Sequence, residues 1–465
     1  MAIKFGTDGW RAVIADEYTF ENLKRISKAT AAAFNGHKKI PHGIVIGYDT
    51  RFMSKEFAEV SAAVFANHGI KVFITDTFVT TPTVSLLSRD KDMAYGVMIT
   101  SSHNPAIYNG FKLKDEFGGS MGPEQLKLIE KVLDDNASFD YGSDSFIDLM
   151  KAGRIEYIKG KEYFISILKE KIDIGIIKSS GVKIIYDAMF GSGQGMMESL
   201  IDITAIRNEV NPSFGGSAPE PVQKNLGEIS ERIKNGKFDI GIVTDGDADR
   251  IAIFDEKGSF IDAQKTFALL LKYLLDNKKM TGGVVRGFSS SELIKKICDK
   301  YKLKLYTVPI GFKYISELMI KEDILIGAEE SGGIGLKNHL PERDGIFNGL
   351  MFSEMLAVKK SKLSELIADI ESEFGKFYYK RIDQHLSDHA LKDKLIGEAR
   401  NFTQVAGMNV INKDNLDGCK LYFEEGWVLI RASGTEPLLR IYTETYNTDK
   451  TDAVLNDILK KFNLN

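Results

Sequence analysis

In FDIGIVTDGDADRIAIFDEKG, residues 238–258, three aspartates stand at alternate positions. In an extended loop the side chains of Asp245, Asp247 and Asp249 fall on one side, and their oxygens can converge on a hard cation. Three carboxylates held together repel strongly without a cation, and Mg2+ is the expected guest. A Ca2+ loop of EF-hand type shares the acidic spacing, with Glu256 at its twelfth position. However, its sixth position is Arg250, where that loop needs glycine, and FDIGIVT and IAIFD read as strands rather than helices. Arg250 beside the acids is suited to stabilising a transferring phosphoryl group.

ITSSHNPAIYNGFK, residues 99–112, opens on the last two residues of the apolar run YGVMIT. The run reads as a buried strand, so the serines sit at its C-terminal end, where open α/β sheets carry ligand sites. A serine there needs an activator, with His103 adjacent and Lys112 able to return across the Asn-Gly turn. The chain has no GxSxG elbow, which disfavours a Ser-His hydrolase. Of the seven histidines none forms a metal-spaced pair, and only His103 lies in a motif.

Two further loops suit a phosphorylated polyol. GAEESGGIG, 327–335, joins acids, a hydroxyl and glycines, and carboxylates bind sugar hydroxyl pairs well while glycines admit a close ligand. RASGTEP, 431–437, lies between two strands and combines the guanidinium of Arg431 with hydroxyls and a backbone that can nest an anion. Arg11, after a Gly/Asp turn in FGTDGWRA, gains meaning from this company. Together these loops specify phosphoryl transfer on a phosphorylated polyol, with the serine as way station and the cation neutralising charge.

The elements that must position these loops repeat along the chain. His42–Thr75 reads as strand, polar turn, helix and strand; Ser180–Ile201 begins alike; Thr281–Pro309 is a third such unit. Three strand-turn-helix openings imply three related α/β domains, and the segment after FGKFYYKRIDQH reads as a smaller α+β domain. The expected boundaries are 1–150, 151–255, 256–370 and 371–465, with an acidic connection over 134–153. The chain has 465 residues, of which 43% are hydrophobic and 27% charged, and a net charge of −4. This balance gives no general attraction for nucleic acid or an anionic membrane. Two distant cysteines, no apolar run of membrane length and no signal-type start make the cytoplasm the expected setting.

FGTDGWRA, TSSHNPAIYNGFK, DGDADR, GFKYI, GAEESGG and RASGTEP occur in the order found in the α-D-phosphohexomutases. The chain resembles that family over its whole length, most closely the bacterial and archaeal phosphoglucomutase/phosphomannomutase branch. The resemblance implies four domains around a central cleft, each lending one loop. It implies Ser102 as the phosphoserine, with Asp245, Asp247, Asp249 and a phosphoserine oxygen holding Mg2+. Lys112 and Arg11 match residues that assist proton transfer and stabilise charge near the serine, and Arg250 follows the metal loop as in the family. Lys313, Glu329 and Ser331 match sugar-contacting positions, whereas Arg431, Ser433, Gly434 and Thr435 match the grip on the phosphate not being transferred. The implied reaction interconverts hexose 1-phosphate and hexose 6-phosphate of glucose or mannose, with glucose 1,6-bisphosphate as intermediate and activator, in a monomer or homodimer. Ser101 is a second serine beside the nucleophile, and Phe312 stands where other branches carry histidine or aspartate. Phosphoglucosamine mutase is the rival within the family; a silent sugar-phosphate sensor or a Mg2+-dependent phosphatase are rivals from other classes.

Overall fold

The computed structural model describes residues 3–6, 8–134, 140–386, 388, 390–432 and 438–464. Four larger sheets follow one another along the chain, with a two-stranded ribbon in the last domain. The first has six strands in the spatial order Trp10–Val13, Tyr108–Lys114, Gly96–Ile99, Ile44–Tyr48, Val72–Thr75 and Ile155–Ile158. The last four of these run parallel, and Tyr108–Lys114 returns antiparallel beside Gly96–Ile99. IVIGY and GVMI are buried at every position, as strands covered on both faces by helices must be. The anticipated acidic connection folds in part as the helix Phe146–Lys151. The edge strand Ile155–Ile158 then takes the first sheet beyond residue 150, pairing in parallel with Val72–Thr75.

The second sheet runs Phe260–Ile261, Ile251–Phe254, Ile240–Thr244, Ile184–Asp187 and Thr204–Ile206, and so passes residue 255. No helix follows Ile184–Asp187, contrary to the expected repeat: residues 188–203 are turns and coil. Met189 and Phe190 both have left-handed backbone conformations, at φ 46° and 58°, which a right-handed helix excludes. A Cβ on Gly191 would stand 2.8 Å from the carbonyl oxygens of Asp245 and Gly246, and Ser192 N donates to Gly246 O at 2.8 Å. This turn supports the aspartate loop from below.

The third sheet is Leu305–Val308, Gly283–Gly287, Ile324–Ala328 and Ile334–Leu336, three parallel strands and one antiparallel. The helix Gly345–Lys359 that follows is buried from Gly345 to Ala357, so it needs apolar partners all round. It finds them in the second sheet, against Ile240–Thr244 and Ile251–Phe254. One apolar core accordingly runs from Phe164 and Ile242 through Leu350 to Phe377 without a break between the second and third domains. The first and fourth domains have main cores of their own. In the fourth, Tyr378–His385, Leu438–Thr445, Gly426–Ala432, Cys419–Phe423 and Asn412–Asp414 form an antiparallel sheet with the helices Ala390–Ala399 and Thr448–Lys461. No helix among the described residues is long and apolar enough to cross a membrane.

An ion pair joins the first domain to the third. Lys114 Nζ donates to Glu342 Oε2 at 2.5 Å with both side chains fully buried, and Ser120 Oγ donates to the same oxygen at 3.0 Å. Glu342→Ala would leave the ammonium of Lys114 without its counter-charge. The expected loss is about 3–5 kcal/mol, read from the midpoint of urea unfolding.

Candidate active site

The strand Gly96–Ile99 delivers Thr100, Ser101 and Ser102 to the sheet's C-terminal edge, all three fully buried. Ser102 has φ 52°, an uncommon conformation for a residue with a Cβ. Its Oγ donates to Asp245 Oδ2 at 2.8 Å and lies 3.4 Å from His103 Nδ1. Ser101 Oγ is buried without a hydrogen-bond partner, so of the two serines Ser102 is the one aimed at the aspartates. Burial, together with the charges of Arg250, Arg11, Lys112 and Arg51, holds His103 well below the usual imidazole range. Its ring is therefore neutral.

Asp245, Asp247 and Asp249 are fully buried between the antiparallel strands Ile240–Thr244 and Ile251–Phe254. The loop is a tight turn rather than an extended run, with Ala248 at φ 57°. The carboxylates nevertheless converge, each offering an oxygen within 4.8 Å of the others. Burial and the charges of Asp247 and Asp249 push Asp245 well above the ordinary carboxylate range. Burial acts on Asp247 in the same sense, but Lys112 and the hydroxyl of Thr81 outweigh it and hold Asp247 low. Asp247 Oδ1 and Asp249 Oδ1 are buried and without hydrogen-bond partners. Oxygens left bare in this way beside a raised carboxyl are what a hard divalent cation satisfies, so these residues fit Mg2+.

Lys112 reaches the site because Tyr108–Lys114 pairs with Gly96–Ile99 in the register Met98 to Lys112. Its Nζ stands 2.7 Å from Asp8 Oδ2, 2.7 Å from Asp247 Oδ2 and 3.2 Å from Asp249 Oδ2. Burial opposes its charge, yet these three carboxylates hold its pKa above the ordinary lysine value. Arg11 donates to Asn104 Oδ1 at 2.7 Å and faces Asp8 at 3.4 Å. Arg250 donates its backbone N–H to Asp245 Oδ1 at 3.1 Å and turns its side chain into the cleft.

That cleft has a volume of about 410 Å³ and takes its lining from all four domains. Glu329, Glu330 and Ser331 enter it from the turn between Ile324–Ala328 and Ile334–Leu336, and Lys313 from the first turn of the helix Phe312–Lys321. Burial pushes the Glu329 carboxyl up to about 7 even though Arg343 draws it down. Phe312 is itself buried, with the Arg343 guanidinium 5.4 Å from its ring centre. Arg431 lines the far wall and pairs with Asp417 at 2.9 Å. Ser433, Gly434 and Thr435 lie outside the described residues.

Several site residues escaped the sequence reading. Asp8 accepts from Lys112, Arg343 and Arg11. Arg343, from LPERDGIF, reaches Asp8 at 2.8 Å, Asp249 at 2.7 Å and Glu329 at 3.7 Å, thereby tying the aspartate loop to the acidic loop. Arg381 and Arg440 line the cleft beside Arg431, and Arg440 stands directly opposite Arg431 on the neighbouring strand. Like charges in cross-strand register repel, so this wall suits an anion. A period-two reading of LLRIYTET, set in register against VLIRA, could have placed Arg440 on the sheet face that carries Arg431.

The comparisons with known proteins agree with this geometry. Four phosphoglucomutase/phosphomannomutase domain families match in order: alpha/beta/alpha domain I over residues 2–139, domain II over 161–258, domain III over 262–374 and the C-terminal domain over 394–461. The chain belongs to the phosphoglucomutase/phosphomannomutase family. Phosphoglucomutase/phosphomannomutase of Thermococcus kodakarensis is 27% identical over 457 residues, 97% of this chain and 96% of the relative. Phosphoglucosamine mutase of Methanococcus maripaludis is 30% identical over 470 residues, 97% of each chain. A crystal structure from Thermus thermophilus, ascribed to a phosphomannomutase, superposes with a TM-score of 0.87 at 32% identity and covers 100% of this chain and 99% of its own. The protein is an enzyme, a mutase of the isomerase class that transfers phosphate within its substrate.

Proposed function

We propose that the enzyme interconverts the 1- and 6-phosphates of glucose or mannose through a phosphorylated Ser102 and a hexose 1,6-bisphosphate. The observation that carries this reading is the contact of Ser102 Oγ with Asp245, beside two bare carboxylate oxygens and at the edge of a cleft walled by arginines. Asp245, Asp247 and Asp249 would hold Mg2+ together with a phosphoserine oxygen, and the ion would neutralise charge on the transferring phosphoryl group.

The chain's own groups divide the remaining work. The Oγ–P bond of phosphoserine breaks as a sugar hydroxyl oxygen bonds to phosphorus. The hydroxyl proton passes to neutral His103, whose cationic surroundings become tolerable to an imidazolium once a phosphoryl dianion is present. His103 passes that proton to the freed Oγ of Ser102; in the return step Oγ bonds to the second phosphorus, the bond from that phosphorus to the sugar oxygen breaks, and the Oγ proton goes to the freed sugar hydroxyl, so the cycle is balanced. Lys112, 2.7 Å from Asp8 and Asp247, stands beside the serine loop and donates to the developing charge. Arg11 and Arg250 face the same charge. Arg431, with Arg381 and Arg440, would grip the phosphate that is not moving, as would Ser433, Gly434 and Thr435 of the same loop. Glu329 and Ser331 would read two ring hydroxyls, with Lys313 on the phosphosugar.

A phosphoglucosamine reading is supported by several relatives of that name, among them the Methanococcus maripaludis enzyme at 30% identity. Coupled assays on glucose, mannose and glucosamine 1-phosphates with Mg2+ separate the two. Turnover of glucose or mannose 1-phosphate supports the proposal; glucosamine 1-phosphate as the sole substrate overturns its choice of sugar.

Glu329 makes binding depend on pH. Its carboxyl, raised to about 7, is neutral below that pH and then offers a poorer acceptor for two hydroxyls. Hexose phosphate affinity is expected to weaken as the pH falls from 8 to 6, and Glu329→Gln to flatten that profile. The folded-state pKa lies above the unfolded value of about 4.3, so this group's contribution to stability is full below about 4.3 and is lost as the pH rises through 7. Glu329→Gln should therefore melt higher than the parent at pH 8, in the absence of sugar.

A further inference from the structure

Arg51 lies outside the cleft, in the turn YDTRFMS between Ile44–Tyr48 and the helix Ser54–Asn67, with its side chain fully buried. Its guanidinium is spent on the serine loop. Nη2 donates to the backbone oxygens of Ser102 at 2.6 Å and Asn104 at 2.7 Å, while Nη1 donates to those of Pro105 at 2.9 Å and Tyr108 at 3.1 Å. Four carbonyls of one seven-residue turn are thus folded around a single planar cation. Nε faces Asp49 Oδ2 at 3.2 Å.

Asp49 closes a second route to the same serine. It accepts from Thr100 Oγ1 at 2.5 Å, and Thr100 Oγ1 accepts from Ser102 N at 2.9 Å. The N–H and the C=O of Ser102 are therefore both pinned, one through Thr100 and Asp49 and the other directly by Arg51. This accounts for the left-handed φ of 52° at a non-glycine residue, a conformation that persists only when its surroundings over-determine it. The Arg51 guanidinium also lies 4.8 Å from the ring centre of Phe214, and its neighbour Thr50 donates to Phe190 O at 2.8 Å. Both aromatics belong to the second domain, the domain that carries the three aspartates.

We propose that Arg51 is a positioning residue: it holds Ser102 Oγ at phosphoryl-transfer range of the aspartate loop and ties the serine loop to the domain that bears that loop. Ordinary loop stabilisation would need neither a fully buried charge nor a fork matched to four carbonyls. Lysine keeps the charge but offers one point of donation, so Arg51→Lys separates charge from geometry. The proposal rests on reading Ser102 as the phosphoryl carrier.

The test compares the parent protein with Arg51→Lys and Thr100→Val. The Thr100 variant cuts the second route to Ser102 and leaves the arginine in place. Steady-state kinetics on hexose 1-phosphate, intact mass during loading by glucose 1,6-bisphosphate, and melting temperature are read together. A misplacement of about 1 Å costs roughly a hundredfold in rate. Arg51→Lys is therefore expected to lower kcat by about 30- to 100-fold and the rate of Ser102 phosphorylation by the same factor, with KM within about twofold. Thr100→Val is expected to lose about tenfold in both rates. A folded Arg51→Lys with kcat within twofold of the parent, or a loss that falls in KM alone, overturns the proposal. If Arg51→Lys does not fold, Thr100→Val decides: unchanged kcat and loading overturn it, and a matched fall in both supports it. A parent protein that neither interconverts hexose phosphates nor takes up phosphate removes the functional reading and this proposal with it. An active parent with unaltered variants removes this proposal alone.

Discussion

Ser102→Ala is expected to abolish interconversion, with turnover falling by at least about 10⁴-fold, in line with the loss of other enzymes' nucleophiles. The fold should survive, because the hydroxyl makes one donated bond, to Asp245, and the loop's conformation is set by bonds to the backbone of Ser102. Intact mass gives the sharper readout. The parent protein should gain one phosphate on incubation with glucose 1,6-bisphosphate, mapped to Ser102, and the alanine variant should gain none. Phosphate on the variant would place the carrier elsewhere, with Ser101 the first candidate. Turnover in the variant within tenfold of the parent would remove the phosphoserine mechanism outright.

The second large effect separates the aspartates, whose environments differ although their spacing is regular. Asp245→Asn removes a carboxylate that burial and its two acidic neighbours disfavour. Without Mg2+ this variant should melt at or above the parent's temperature. Asp247→Ala instead strips Lys112 of a counter-charge at 2.7 Å. It should destabilise the metal-free protein by about 3 kcal/mol, the order found when one partner of a buried ion pair is removed. Both should lose Mg2+-dependent turnover by at least about 10²-fold and lose the heat of Mg2+ binding in calorimetry. If Asp245→Asn binds Mg2+ as the parent does, the assignment of the cation to these residues fails. Equal melting of the two metal-free variants would contradict the division of charge described above.

The candidate loops can be read from the sequence because each is local. DGDADR, SSHNP, GAEESGG and RASGTEP are short strings whose residue types state what they can bind, and flanking apolar runs set each at a strand end. What joins them was not legible. Arg343 touches Asp8 and Asp249 across the joint between three domains, and nothing in LPERDGIF announces that convergence. Lys112 was expected to return towards the serine, and its partners proved to be Asp8, Asp247 and Asp249, since only the register of two antiparallel strands decides where a seven-residue strand points its lysine. The helix read after Ile184–Asp187 failed for a backbone reason. Two left-handed residues and a glycine pressed against the aspartate loop make that stretch a prop, whereas apolar residues such as MMESLI suggest a helix by composition alone.

The buried helix Gly345–Lys359 changes how many independent pieces the protein has. Four modules follow one another in topology, but this helix threads the third beneath the sheet of the second and gives them one interior. Neither of that pair retains a complete interior when cut from the other, so a fragment ending near residue 258 would expose the surface that the helix covers. In calorimetry the middle of the chain should melt as a single cooperative block, flanked by separate transitions for the two ends. The protein thus counts four modules by pattern and three by cohesion. A variant that loosens Leu350 or Ile242 should release the aspartate and acidic loops in the same transition.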